Sequence, residues 1–148
     1  MINIALYQPD IPQNTAAIIR ICACFDINLE IIKPCGYFFD PKKLDRIYLD
    51  YLKNCNLTFY ESYDEFLIKK SQSRLILLTT KSEINYTKFA YKKNDTLIFG
   101  RESAGVPREI HNNIKNKLII KMNKNTRSFN ITSSVAIVAS EALRQINL

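Results

Sequence analysis

Short apolar runs and helix-spaced apolar residues alternate along the first sixty positions. The runs Ile2 to Tyr7, Leu29 to Ile32 and Leu57 to Tyr60 predict three strands. From Asn14 to Phe25, apolar residues recur three and four positions apart, as on one face of a helix. Asp40-Pro41 predicts the start of a second helix, because an N-cap residue followed by proline suits a first turn. The order is strand, helix, strand, helix, strand.

The second half holds three unbroken apolar runs, Leu75 to Leu78, Thr96 to Phe99 and Leu118 to Ile120. Unbroken runs of this length are typical of central strands in a parallel sheet that helices cover on both faces. A last helix is predicted from Ser133 to Gln145. The alternation predicts one α/β domain over residues 1–148, with a mostly parallel sheet and helices on both faces.

Composition and charge then narrow the class of protein. The 148 residues are 47% hydrophobic and 24% charged, which is ordinary for a globular domain. The net charge of +7 favours a polyanionic partner such as nucleic acid, although a basic protein without such a partner is the alternative. The N-terminal residues lack the features of a secretory signal, and no apolar run is long enough to span a membrane. A cytoplasmic protein without membrane contact is expected.

The cysteine and histidine content argues against a metal site. Cys22, Cys24, Cys35 and Cys55 form no C-x-x-C pair, and His111 is the only histidine. This set does not supply the ligand spacing of a zinc site. Four buried or partly buried thiols in a reducing compartment are expected instead. His111 could be considered as a general base, but its polar neighbours favour an ordinary position on a surface helix.

In open α/β sheets, ligands bind beyond the carboxyl ends of the strands. The segment Gly100 to Gly105 directly follows a predicted strand, and glycine permits close approach of the backbone to a ligand. It matches neither a dinucleotide-binding fingerprint nor a P-loop. The polar segment Lys121 to Ile131 includes Asn130 as a candidate N-cap, and a helix start favours an anion. Taken alone, the glycine segment is equally explained by a tight connection before a helix, whereas the polar segment is better explained by simple capping.

A third polar segment surrounds the first predicted helix. Asn14 is a candidate N-cap, and Arg20 lies on a different face from the apolar residues Ile18 and Ile21. The planar guanidinium of arginine suits phosphate recognition, whereas an isolated arginine is usually a solvated surface residue.

Together, these segments resemble a known family. The chain has Asn14-x5-Arg20, then Leu97 to Pro107 with both loop glycines, and then Ser128-x-Asn130 before a helix that ends Glu141 to Gln145. This ordered set resembles the SPOUT methyltransferases, and within them the TrmH-like RNA 2'-O-methyltransferases. The opening Ala5 to Thr15 and the stretch Leu78-Thr79-Thr80-Lys81 make it most similar to the minimal TrmL (YibK) type. The resemblance extends over essentially the whole chain.

The resemblance implies a fold, a cofactor and an assembly. The expected fold is the α/β-knot, in which the C-terminal part forms a trefoil knot, and the expected assembly is a homodimer whose sites borrow residues from both subunits. The implied cofactor is S-adenosyl-L-methionine, which becomes S-adenosyl-L-homocysteine, without a metal. The residues expected to hold it are Leu78, Thr79, Gly100, Ile120, Met122, Ser128 and Phe129. The residues expected in catalysis are Arg20, Asn14, Glu102, Ser128 and Asn130.

The implied reaction is methylation of the ribose of the wobble nucleotide, at position 34, in the anticodon stem-loop of leucine tRNAs. The family pattern makes Arg20 the deprotonating residue, but arginine is effectively always charged. We therefore interpret Arg20 as a group that grips the adjacent phosphate and stabilises the developing alkoxide. Two alternatives stay open: the same chemistry on another tRNA position or on rRNA, and an RNA-binding module without activity. A flavodoxin-like or receiver domain is disfavoured, because only Asp10 supplies acidity after the first strand.

The chain departs from the family pattern at five positions. Ala16 stands where glycine is common, Arg101 and Lys121 replace prolines, Ala104 replaces an arginine, and Ser140 replaces a tyrosine. The changes at Ala16, Arg101 and Ala104 motivate the alternative of an inert module. All five leave the methyltransferase interpretation intact and bear on the choice of substrate.

Overall fold

The computed structural model describes residues 1–40 and 46–147, without the side chains of residues 46–49. In this part of the chain, one parallel sheet has six strands in the order β3-β2-β1-β5-β4-β6. The strands are β1 Asn3–Tyr7, β2 Asn28–Ile32, β3 Leu57–Tyr60, β4 Leu75–Leu78, β5 Thr96–Phe99 and β6 Asn116–Leu118. Because β1, β5 and β4 are neighbours and parallel, their carboxyl ends lie side by side at one edge of the sheet. The direction in which the chain adds strands reverses between β1 and β5.

Helices cover both faces of the sheet, as the sequence predicts. They are α1 Pro12–Phe25, α2 Arg46–Lys53, α3 Tyr63–Lys69, α4 Arg108–Asn113 and α5 Ile131–Ile146. Successive strand residues alternate between faces, so β1 sends Ile4 into a core with Val138 of α5 and sends Ala5 into a second core with Phe66 of α3. The predicted α/β class with a parallel sheet is confirmed.

Both long helices begin two residues before their predicted starts. The first helix starts at Pro12, with Ile11 at the N-cap, so the prediction of Asn14 as the N-cap is wrong. Proline fits the first helical position because the amide proton that it lacks would have no partner in the helix. The last helix starts at Ile131, and the side chain of Asn130 accepts a hydrogen bond from Thr132 N at 2.8 Å, which confirms Asn130 as an N-cap.

The last strand differs from its prediction in place and in setting. The structure has β6 at Asn116–Leu118, paired with β4 alone at the edge of the sheet, whereas the apolar run predicted a central strand from Leu118 to Ile120. Ile119 and Ile120 are apolar because they line a cavity beyond the strand. The predicted helix start at Asp40-Pro41 falls at residues 41–45, which lie outside the described residues, and helix α2 is described from Arg46.

The chain leaving β6 is enclosed by the segment that follows β4. Thr79 N donates to Leu118 O at 2.9 Å on one edge. Ile119 N donates to Ile84 O at 2.8 Å and Tyr86 N donates to Ile119 O at 3.0 Å. Because successive residues of an extended chain direct their backbone groups to opposite edges, residues 79–86 flank this point on both sides. A threaded knot requires such enclosure, and the trefoil knot stays a prediction.

All four cysteines are free, and Cys24 is exposed, so the expectation that every thiol is at least partly buried is wrong at that position. No helix among the described residues is long and apolar enough to cross a membrane.

Candidate active site

A cavity of about 600 Å³ lies at the carboxyl ends of β4 and β5, where the segment after β6 also arrives. Pockets for cofactors and small ligands usually have volumes of about 300–1,000 Å³. Its wall includes every residue that the family resemblance assigns to the cofactor, namely Leu78, Thr79, Gly100, Ile120, Met122, Ser128 and Phe129. Asn14, Glu102 and Asn130 line it too, but Arg20 does not. The structure thus brings together three segments that are far apart in the sequence.

The turn after β5 depends on both of its glycines. Arg101 N donates to Gly105 O at 3.1 Å and Gly105 N donates to Arg101 O at 2.8 Å, which closes the turn. Gly105 has a φ of +67°, a conformation that residues with a side chain rarely adopt. A Cβ on Gly100 would lie 2.6 Å from the carbonyl carbon of Gly105. Gly100 is therefore required for loop closure, and its contact with a cofactor stays a prediction.

Glu102 binds the backbone immediately before helix α1 from a different loop. Its carboxylate accepts hydrogen bonds from Asp10 N at 2.8 Å and from Ile11 N at 3.3 Å. It also accepts one from Asn14 Nδ2 at 3.3 Å. The first turn of α1 contains no acidic residue of its own, so Glu102 supplies the negative charge that the N-terminus of a helix favours. This carboxylate joins the β1–α1 connection to the cavity wall.

Asn14 continues this network toward helix α5. Its Oδ1 accepts a hydrogen bond from Asn130 Nδ2 at 3.1 Å, and its backbone oxygen accepts one from Thr132 Oγ1 at 3.5 Å. Glu102, Asn14 and Asn130 therefore form one chain of hydrogen bonds along the wall. Phe129, the neighbouring residue, is 45% exposed. Its ring is free to contact a ligand in the cavity.

Arg101 and Asp10 form an ion pair beside this network. Arg101 Nη2 donates to Asp10 Oδ1 at 2.7 Å, and Ser103 N donates to Asp10 Oδ2 at 3.0 Å. Hydrogen bonds from the Arg101 guanidinium and from Ser103 lower the pKa of Asp10 to about 2. The residue that departs from the family's proline thus fixes the first loop against the turn after β5.

Replacing Asp10 with asparagine is expected to lower the free energy of unfolding at pH 7 by about 1 kcal/mol, since the partly exposed pair is screened by water. The pKa of Asp10 is lowered from 3.8 to about 2 by folding. Its stabilising effect is therefore complete above the unfolded pKa and is lost as the pH falls through the folded pKa. In urea unfolding, the difference between wild type and Asp10→Asn should shrink between about pH 4 and pH 2. A difference independent of pH would contradict the ion pair.

Arg20 lies apart from the other predicted catalytic residues. It is exposed on α1, and its guanidinium carbon lies 5.0 Å from the centre of the Tyr51 ring on α2. That distance is within the range of a cation–π contact, which orients an arginine side chain. Within one chain, Arg20 therefore does not meet the cavity, and its predicted action at the site of a second subunit stays a prediction.

His111 is not the surface residue that its polar neighbours suggest. It is half-buried on α4 and lines the cavity, and its Nε2 is buried without a hydrogen-bond partner among the described residues. Lys81, Ser103 and Arg127 also line the cavity, although the sequence patterns assigned them no role in the site. Each lies within two residues of a recognised motif position, which is the signal that could have identified them. No group of three or more potential metal ligands occurs in the described ranges.

The parallel sheet, the closed turn after β5 and the cavity at the carboxyl ends define a methyltransferase of the class that the motifs resemble. The chain belongs to the SpoU rRNA Methylase family, whose model matches residues 1–140. The tRNA (cytidine(34)-2'-O)-methyltransferase of Beijerinckia indica is 39% identical to it over 145 residues, which cover 97% of this chain and 91% of that protein. The resemblance stated from the motifs is confirmed.

Solved structures agree with this assignment. A structure described as giving insights into the 2-OH methylation of C/U34 on tRNA has a TM-score of 0.92 and 33% identity, and the match covers 98% of this chain and 95% of that one. The SpoU methyltransferase AviRb from Streptomyces viridochromogenes, in complex with the cofactor AdoMet, has a TM-score of 0.86 at 18% identity. That match covers 97% of this chain and 57% of AviRb, and it supports the fold.

Proposed function

We propose that this protein is an S-adenosylmethionine-dependent tRNA 2'-O-methyltransferase that modifies the ribose of nucleotide 34, a cytidine or a modified uridine, in leucine tRNAs. The observation that carries the proposal is that one cavity is lined by residues from all three motifs, with Asn14 representing the first. Similarity over nearly the full length to a protein named tRNA (cytidine(34)-2'-O)-methyltransferase supports the choice of nucleotide.

The cavity suits the chemical groups of S-adenosylmethionine. Leu78, Ile120 and Met122 offer apolar surface for the adenine ring, and Thr79 and Ser128 offer hydroxyl groups near a ribose or an amino acid tail. When bound, the cofactor supplies a methyl group on a sulfonium, which is a good leaving group. The AviRb structure with AdoMet supports this choice of cofactor. Methyl transfer from a sulfonium to a hydroxyl group does not require a metal ion.

The protein's own contribution is alignment and charge stabilisation. The hydrogen-bonded chain of Glu102, Asn14 and Asn130 holds the wall on which the target ribose would rest. A fixed geometry of this kind lowers the barrier by removing motional freedom before the reaction. Arg20 would bind the phosphate next to the target ribose and stabilise the 2'-oxygen while its proton passes to that phosphate or to water.

The position of Arg20 favours a homodimer. Its side chain lies outside the cavity of its own chain, so it reaches a reacting ribose only if another subunit provides the cavity. In a closed two-fold dimer any contact is made twice, so a dimer that brings one Arg20 to the partner's cavity does the same for the other. The net charge of +7 suits the tRNA partner, and a cytoplasmic location, where tRNA is found, completes the proposal.

Two measurements with purified protein test the proposal. Calorimetry with S-adenosylhomocysteine should show one binding event per chain, and methylation assays should label total tRNA and leave rRNA unlabelled. No binding of S-adenosylhomocysteine would instead identify an inert RNA-binding module. Binding combined with labelled rRNA and unlabelled tRNA would identify a ribosomal RNA methyltransferase.

A further inference from the structure

We infer that Phe38 is a stacking platform for an unpaired base of the substrate RNA beside the target nucleotide, an inference that rests on the proposed function. Phe38 is 88% exposed, the highest value among the large exposed hydrophobic residues of the described chain. Exposing a phenylalanine ring to water is unfavourable relative to burying it. Single exposed apolar side chains are common on protein surfaces, and Phe38 differs from the others in its degree of exposure and in its place beside the cavity wall.

The surrounding loop imposes this exposure. Gly36 N donates to Pro9 O at 2.9 Å, and Tyr37 Oη donates to Thr15 Oγ1 at 2.5 Å. On the other side, the Phe39 ring packs against the Phe59 ring at 5.2 Å between centres. Both neighbours of Phe38 are thus held against the protein. The Phe38 ring is therefore exposed from a loop whose neighbouring residues are held in place.

The same loop lies against the cavity wall. A Cβ on Gly36 would meet Asp10 Cα and Asp10 Oδ1 at 3.0 Å, so the two loops are in close contact. Asp10 N in turn donates to Glu102, which lines the cavity, at 2.8 Å. Phe38 is two residues from Gly36, a reach of at most about 7 Å along the chain. An RNA with one ribose in the cavity would carry its adjacent nucleotides across this rim.

The chemistry of the ring fits an RNA base. Proteins read single-stranded RNA loops by stacking splayed-out bases on aromatic side chains. Each such stack contributes about 1–3 kcal/mol, largely without regard to base identity. The net charge of +7 attracts the phosphates of an RNA. Contact with a base needs a flat apolar surface instead, which the Phe38 ring provides. A stable protein interface buries about 800 Å² per partner, far more than one isolated ring offers.

The test compares Phe38→Ala, which removes the ring, with the matched control Phe38→Tyr, which keeps it. The Kd for a fluorescent anticodon stem-loop and the KM for tRNA should rise about 5- to 150-fold in Phe38→Ala and change little in Phe38→Tyr. The value of kcat and the affinity for S-adenosylhomocysteine should match wild type in both. Because no charge is removed, the slope of log K against log salt should also be unchanged.

Three outcomes would overturn the inference. One is a Phe38→Ala protein that binds and methylates tRNA as wild type does, which leaves the proposed function standing and removes only the stacking role. Another is loss of the dimer in Phe38→Ala by sedimentation velocity, which would assign the ring to a subunit contact. The third is a wild-type protein that neither binds nor methylates tRNA, which would remove the proposed function itself.

Discussion

Replacing Arg20 with alanine is expected to lower kcat about 100- to 1,000-fold, the usual cost of removing one donor that stabilises developing negative charge. Affinity for S-adenosylhomocysteine should stay within about twofold of wild type, since Arg20 does not line the cavity of its own chain. Single-turnover methylation and calorimetry measure the two effects. Arg20→Lys is the matched control, because it keeps the charge and loses the planar fork. Turnover in Arg20→Ala comparable to wild type would remove this role.

Mixed dimers test whether Arg20 acts across subunits. Arg20→Ala and Gly100→Ala subunits, each inactive alone, should regain activity after mixing. About one quarter of wild-type turnover is expected, because about half of the dimers are mixed and each mixed dimer has one intact site. If Arg20 acts within its own chain, no activity should return.

Replacing Gly100 with alanine is expected to lower turnover about 100-fold, which is the scale of effect when a catalytic wall moves by about 1 Å. The new Cβ would lie 2.6 Å from backbone carbon of Gly105, and backbone cannot rotate away as a side chain can. The turn must therefore open, and the cavity wall moves with it. Binding of S-adenosylhomocysteine should weaken and Tm should fall, as measured by calorimetry and thermal unfolding.

Gly105→Ala provides the matched control for that substitution. A Cβ at Gly105 meets nothing within 4 Å, so only the strain of its φ of +67° is added. That strain costs about 1–2 kcal/mol of stability. Gly105→Ala should lower Tm while retaining most of the affinity for S-adenosylhomocysteine. Equal losses of affinity in the two variants would show that backbone strain, and not the clash, determines the cavity.

Local patterns were sufficient for most of the fold. The apolar runs at β1, β2, β3, β4 and β5 match the strands closely, because buried parallel strands need apolar residues on both faces. The run Leu118 to Ile120 gave a wrong strand position, because Ile119 and Ile120 line the cavity and do not belong to the strand. Sequence alone cannot distinguish burial against a sheet from burial against a ligand site.

The role of a site residue was predictable where it depends on residues near it in the sequence. It was not predictable where it depends on a contact between two distant segments. Gly100 and Asn130 are recognised from their own neighbours, as a tight turn and a cap. The binding of Glu102 to the start of α1 joins residues 88 to 92 positions apart in the sequence, which no local pattern reveals. The burial of His111 Nε2 was not predictable for the same reason. His111 lines the cavity and its polar neighbours on α4 do not, so the neighbours gave no sign of its position.

Mapping of ribose methylation by mass spectrometry, in tRNA from cells with and without the gene for this chain, tests the central claim most directly. The 2'-O-methyl group on nucleotide 34 of leucine tRNAs should be absent without the gene. It should return with the wild-type gene and not with the Arg20→Ala variant. Unchanged methylation of nucleotide 34, or a loss confined to rRNA, would contradict the proposed function.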